Sequence, residues 1–174
     1  GTAALPLAAE GYGGRVDELE VRFREAMARV PAPVTVITTQ VDGIPTGTTV
    51  SSFASLSISP PMVIFALDNR GSMIDRLRAA GRAGVNILAG HQAEIALQFA
   101  RRGLPDRFAE LAWHEDHGLP RIDGVVAWLR CEDLTPVPGG DHTVVLGTVT
   151  EAETVGDSSL SYHLREFRDV RPGV

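Results

Sequence analysis

A chain of 174 residues that is 44% hydrophobic and 22% charged can bury one sizeable core and has the composition of an ordinary globular domain. Its net charge of -6 argues against a general nucleic-acid or membrane-surface protein, since both need a basic field. All sixteen basic residues are arginine, which excludes Schiff-base chemistry, a covalent pyridoxal-phosphate lysine and a Walker A phosphate loop.

The charge is unevenly spread. Between Arg70 and Arg107, seven arginines (70, 76, 78, 82, 101, 102 and 107) face only Asp75, Glu94 and Asp106. Such a basic middle reads either as a solvated helix face or as a receiver of nucleotide phosphates, because the guanidinium fork matches phosphate oxygens. The single cysteine, Cys131, has no internal disulfide partner. With no signal-like start and no apolar run of 18 residues, the chain reads as soluble and cytoplasmic. A flexible tail is expected over residues 1–15 and a single domain over 16–174.

Taken in order, Leu19, Phe23, Met27 and Val30 recur at helical spacing, so the periodicity predicts an amphipathic helix over 16–30, ended by Pro31. Residues 34–41 (VTVITTQV) are β-branched and precede Asp42-Gly43, a hairpin signal. Next comes TGTTVSSFASLSISPP. Eight of the fourteen residues from Thr46 to Ser59 carry hydroxyls, interleaved with Val50, Phe53, Leu56 and Ile58. In isolation this is a Ser/Thr-rich turn; equally, its hydroxyls suit a phosphorylated, polyhydroxylated ligand.

Residues 62–67 (MVIFAL) predict a strand buried on both faces. Ser72 is positioned to cap a helix with Met73, Ile74 and Leu77 facing inward and Gly81 closing it. A short strand over 84–89 and a helix over 92–101, with Ile95, Ala96 and Phe99 on one face, follow. Residues 102–124 read as irregular, anchored by Trp113. Two long strands are expected over 125–134 and 142–155, joined by the loop Pro136-Val137-Pro138-Gly139-Gly140. Hairpin-ordered strands with helices inserted singly predict a mainly β fold, an antiparallel barrel with peripheral helices.

Several chemistries find no support. No dinucleotide-binding glycine fingerprint follows a strand, no GxSxG is present, and Cys131 reads as a buried inert thiol. His114 and His117 lack a third ligand pattern, so no metal is expected. Gly140-Asp141-His142 stands apart, at the mouth of a strand where barrel loops collect functional groups. Alone it also reads as a plain turn capped by Asp141.

Together, Thr46-Gly47-Thr48-Thr49-Val50-Ser51-Ser52-Phe53, Ser57-Ile58-Ser59-Pro60-Pro61, Val85-Asn86-Ile87-Leu88 and Gly140-Asp141-His142 resemble the flavin reductase family of the FMN-binding split-barrel fold. The resemblance runs from about Phe23 to Phe167. It implies a homodimer of six-stranded antiparallel split barrels, with FMN or FAD held near the subunit interface and reduced by NADH or NADPH. It further implies a separate flavin-dependent monooxygenase as consumer of the reduced flavin. By the same resemblance, Thr46 to Ser52 bond the flavin ring edge and ribityl chain, and Ser57, Arg70 and Ser72 contact its phosphate. Asn86, Ile87, Leu88, Ala89 and Gln92 border it, and Asp68, Phe99, Arg102 and Tyr162 complete the cofactor-binding set. His142 stands beside the nicotinamide, with Asp141 fixing its ring. The segment Ser159 to Phe167 departs from the family's usual tyrosine-rich ending. A split-barrel module that holds flavin as sensor, carrier or store, without turnover, is the alternative.

Overall fold

The computed structural model describes residues 17–173; the tail expected over 1–15 lies outside the described residues. Helix α1 (Glu18–Met27) is shorter than its expected span and is capped by Asp17, whose carboxylate accepts from the Leu19 N–H at 3.0 Å. Its end is tied to the far end of the chain: the Leu164 N–H donates to the Ala28 carbonyl at 2.8 Å, and Arg165 pairs with Glu25. The predicted apolar stripe exists but none of it is buried: Leu19, Phe23, Met27 and Val30 are exposed.

Strands β1 (Ala32–Pro33), β2 (Thr35–Val41), β3 (Ile44–Val50), β4 (Ala54–Ile58) and β5 (Pro61–Asp68) follow. After them come α2 (Met73–Ala80), β6 (Ala83–Ile87), α3 (Ala93–Ala100), β7 (Trp113–Asp116), β8 (Leu119–Ile122), β9 (Ala127–Gly139), β10 (His142–Thr154), β11 (Ser159–His163) and β12 (Glu166–Val170). The fold is mainly β, with its helices at the periphery as the sequence predicts. The principal sheet is antiparallel, with seven strands in the order β3-β2-β6-β9-β10-β5-β4. β1, β11 and β12 form a second sheet and β7 and β8 a hairpin. The principal sheet curls so that its two ends meet: the Ser52 hydroxyl, just beyond β3, bonds both the N–H and the carbonyl of Ala66 in β5, at 3.0 and 3.1 Å.

Turn chemistry explains the hairpins. Asp42 and Gly43 both have positive φ (53° and 74°), the backbone a tight two-residue hairpin requires, and both are residues that adopt it readily. His117 and Gly118 do the same (49° and 76°) between β7 and β8. That hairpin falls inside the stretch expected to be irregular; the His-Gly turn was its signal.

Two further expectations are corrected. β5 is not buried on both faces: Val63, Phe65 and Leu67 are buried while Met62, Ile64, Ala66 and Asp68 are only partly covered, the alternation of a strand with one face on the core. The proline-rich run is not a loop, because β9 continues as a strand through Pro136 and Pro138 to Gly139. β6 flanks β9 only from Ala127 to Cys131, so beyond that point one side of β9 is an edge. There a proline nitrogen without hydrogen forfeits no ladder bond.

One core lies inside the curled sheet, around Ile37, Phe65, Leu77, Val85 and Val145, closed by α2 through Met73, Ile74 and Leu77. A second lies on the other face, around Val36, Phe99, Leu119, Ile122 and Trp128, covered by α3 and the β7-β8 hairpin. β2 and β6 run between them. Gly84 in β6 is required by this arrangement: a Cβ there would come within 2.2 Å of the Trp128 ring and 2.6 Å of the Thr38 Oγ1. Gly84→Ala is therefore expected to destabilise the fold by about 1–3 kcal/mol through overpacking. Urea unfolding followed by Trp fluorescence checks this, and an unchanged midpoint would show that Trp128 can move aside.

Candidate active site

The hydroxyl-rich segment is anchored only over β3, and Leu56 and Ile58, two of the apolar residues interleaved with its hydroxyls, are exposed. On the α3 side the Thr49 Oγ1 donates to the Ala96 carbonyl at 2.7 Å and Gly47 is buried, while Val50, on the opposite face, is buried in the core inside the sheet. Gly47 fits because a side chain would meet the Phe99 ring at 2.8 Å. Thr46 and Thr48 are half-buried, Ser51 and Ser52 exposed, and Ser57 on β4 half-buried. Among the described residues only Ser52 of these five commits its hydroxyl to the protein, on Ala66. The other four hydroxyls make no hydrogen bond to the protein among the described residues and keep full hydrogen-bonding capacity.

Two residues along β5 from Ala66, roughly 7 Å at strand rise, stands Asp68. Two arginines converge on its carboxylate, and a third element lies beside it. Arg70 reaches it from the following turn with its Nη2 at 2.6 Å, Arg102 reaches it from the end of α3 at 2.7 Å, and in strand register it lies opposite His142. The hydrogen bonds from Arg70, with Arg102 adding its charge, hold the Asp68 carboxyl well below the usual carboxylate range. The β9-β10 turn is clamped here as well: the Asn69 N–H donates to the Asp141 carbonyl at 3.0 Å, and the Thr143 hydroxyl donates to the Asn69 Oδ1 at 2.7 Å.

His142 is half-exposed, and its Nδ1 lies 2.7 Å from the Asp141 Oδ1. That hydrogen bond lowers the Asp141 pKa, keeping it a carboxylate and hence an acceptor. Nδ1 is then the donor, which in the neutral tautomer leaves Nε2 as an acceptor. The hydroxyl segment and the Gly-Asp-His turn, distant in sequence, thus adjoin one strand.

Beside β3 opens a cleft of about 610 Å³, walled by Pro45, Thr46 and Gly47, by Ser72 and Arg76 of α2, by residues 104–108 and by Trp113. The Arg107 Nη1 donates to the Gly47 carbonyl at 2.7 Å across it. Ser72 opens α2 as predicted, but its hydroxyl makes no capping bond. Exposed hydroxyls, a small-residue strand face and a cleft of ligand size fit a flavin, whose ribityl chain and phosphate need such partners.

Other expected cofactor residues lie elsewhere. Asn86 is wholly buried: its Oδ1 accepts from the Ile122 N–H at 2.7 Å, and its Nδ2 donates to the Val36 carbonyl at 3.1 Å and the Thr38 Oγ1 at 3.2 Å. Gln92 is equally occupied, with Ala89 and Asp123. Leu88 and Phe99 belong to the second core, Ala89 is buried and Ile87 half-buried. For Asn86 and Ile87 the reason is that β6 runs between the two cores, so both of its faces are covered. Tyr162 is in β11, its ring centroid 5.2 Å from that of Phe167, against that same core. Arg76, Arg107 and Trp113 are cleft residues outside the cofactor-binding set that the resemblance implies; the arginine excess between 70 and 107 was the signal for the first two, and Trp113 was expected only as an anchor.

Cys131 is buried, which pushes its thiol up to about 12 and makes it inert as a nucleophile. Asp68 generates a pH-dependent prediction. Its folded pKa lies below the ordinary 3.8, so its contribution to stability is complete above about pH 4 and is lost as pH falls toward the folded value. Asp68→Asn should lower the melting temperature at neutral pH, with the gap to the parent protein closing on acidification below pH 4. A gap constant down to pH 2 would contradict the pairing.

A family model described as a flavin reductase like domain matches residues 27–171. The NADH:FMN oxidoreductase of Rhodococcus qingshengii is 38% identical over 148 residues, covering 81% of this chain and 77% of that protein. The reductase component of flavin-dependent trigonelline monooxygenase from Acinetobacter baylyi is 36% identical over 143 residues, 81% of this chain, which spans only 46% of that relative's length. Among solved structures, the NADH:FAD oxidoreductase of Streptomyces globisporus in complex with NAD and FAD fragments superposes with a TM-score of 0.84 at 31% identity, covering 95% of this chain and 99% of that one. With the match running from the end of α1 through β12, and the hydroxyl strand and Gly-Asp-His turn on one sheet end, the chain belongs to the flavin reductase-like domain family.

Proposed function

We propose that this flavin reductase passes a hydride from NADH or NADPH to FMN or FAD at the end of β5, and that the reduced flavin leaves to serve a separate flavin-dependent monooxygenase. The observation that carries this reading is the meeting of two distant segments on β5: Ser52 bonds Ala66, and His142 lies opposite Asp68. The bound rings supply the redox chemistry themselves. What remains for the protein is to hold two flat groups in register and to receive the charge that develops.

The unbonded hydroxyls of Thr46, Thr48 and Ser51 and the β3 backbone meet the flavin. Ser57, Arg70 and Ser72 take its phosphate, arginine being the better matched to phosphate oxygens. Asp68 sets the direction of Arg70 and Arg102. Asp141 fixes the tautomer of His142, so that Nε2 accepts a hydrogen bond from the carboxamide N–H of the nicotinamide. No titrating acid is needed, because the donors at this site are hydroxyls and backbone N–H groups.

The working form in this reading is a cytoplasmic homodimer. Its support is the apolar surface the chain leaves uncovered: Leu56 and Ile58 on β4, and the stripe of α1. Analytical ultracentrifugation is expected to return twice the chain mass.

Crossing both flavins with both nicotinamides in a multiple-turnover assay tests the activity; oxidation of the reduced nicotinamide should require added flavin. Flavin binding without turnover would leave a flavin-holding module instead. His142→Ala is expected to lower kcat/KM for the nicotinamide roughly tenfold, the loss of one hydrogen bond. Unaltered kinetics in that variant would remove His142 from the site.

A further inference from the structure

We infer that Asn69 is a positioning residue for His142, holding the β9-β10 turn so that the imidazole keeps one orientation and one tautomer toward the nicotinamide. The inference rests on the role proposed for His142 and extends it to a residue outside the implied binding set.

The histidine sits where its hairpin has least support. β6 follows β9 only from Ala127 to Cys131, and β5 follows β10 only as far as the pair of Asp68 with His142. Beyond that pair, Gly140 and Asp141 form a two-residue turn between strands of 13 residues each, with Gly140 at positive φ (69°). Residues 135–141 are exposed, so hydrogen bonds rather than burial hold the turn.

Asn69 supplies those bonds. It is the first residue after β5, and its N–H donates to the Asp141 carbonyl at 3.0 Å. Its Oδ1 accepts from the Thr143 hydroxyl at 2.7 Å, and its Nδ2 donates to the Gly140 carbonyl at 3.4 Å. Residues 140, 141 and 143 are thus tied to one residue, which brackets His142 and leaves its ring bonded only to Asp141 among the described residues. An amide suits this place as a carboxylate would not, because a carbonyl oxygen only accepts and the group facing Gly140 must donate.

Asn69 is exposed, so water replaces its bonds on unfolding and their net contribution to stability is small. Their consequence is geometric. They fix the backbone that brings the Asp141 Oδ1 to 2.7 Å from the His142 Nδ1, and through that contact the tautomer. Neighbouring residues at the end of β5 therefore divide the work: Asp68 directs two arginines, and Asn69 directs the histidine.

Steady-state kinetics on Asn69→Ala and Thr143→Val tests the role. Each should raise KM for the reduced nicotinamide about fivefold at unchanged kcat, and leave KM for the flavin unaltered. Thr143→Ser keeps the hydroxyl and should keep the parent value. In a His142→Ala background, Asn69→Ala should cost nothing further, because the group it positions is gone. A second full loss in that background, an equal rise in KM for the flavin, or unaltered kinetics in Asn69→Ala beside an impaired His142→Ala overturns the inference and leaves the reductase reading standing. A His142→Ala variant without effect removes the histidine from the site and the inference with it. Nitrogen NMR of the histidine rings at alkaline pH, where imidazoles are neutral, needs no turnover. The His142 signal, identified by its loss in His142→Ala, should show Nδ1 protonated in the parent and both tautomers mixed in Asn69→Ala. One tautomer in both proteins overturns the inference. A tautomer change in a protein that reduces no flavin upholds the positioning and sinks the reductase reading.

Discussion

The candidate site depends on one carboxylate. Asp68 lies at the last position of β5, opposite His142 in the ladder, with guanidiniums from two other elements on its oxygens. Isolated surface ion pairs stabilise little, because solvent screens them and long side chains lose freedom. This one is a node of two arginines on a partly covered acid, so geometry rather than net energy is its contribution. It sets where Arg70 and Arg102 point and joins the end of α3 to the turn that carries the histidine.

The polar groups lie where they do because of how the sheet divides the apolar ones. β2 and β6 are internal strands between two cores, where Thr38 and Asn86 bond one another and nearby backbone, while Gln92 at the start of α3 bonds the backbone of Ala89 and Asp123. Buried polar groups must be bonded, so these side chains are occupied before any ligand arrives. β3 and the stretch after it lie at the edge of the same sheet. The hydroxyls of Thr46, Thr48, Ser51 and Ser57 are left without a protein partner among the described residues, while Thr49 and Gly47 seat the strand against α3 and Ser52 bonds Ala66. The contrast between Thr48 and Asn86 is thus one of strand position, edge against interior.

Clefts and charge follow the same logic. The segment after α3 contributes no regular element until β7, yet it carries Arg102 to Asp68 and Arg107 to Gly47. It ties α3, β3 and β5 together at one end of the curled sheet. That end collects the uncompensated arginines of an otherwise acidic chain.

Much of this was legible in the residues. The Asp42-Gly43 hairpin, the inward face of α2 with Gly81 at positive φ, and the long β9-β10 pair all follow from local turn chemistry and periodicity. The family was legible in four short motifs in order. Other features were not, for physical reasons. The strand character of Pro136 and Pro138 depends on β9 having a free edge, and the exposure of half of β5 on which neighbours its ladder meets; neither is a property of the local string. Asn86 sits within a motif of the family, but only the covering of both faces of β6 decides that its amide is turned inward. Local sequence determined which residue types were available for redox-cofactor chemistry and which elements carried them. Only the tertiary structure decided which of those groups remained unbonded and faced one another, because the satisfaction of a polar group depends on neighbours distant along the chain.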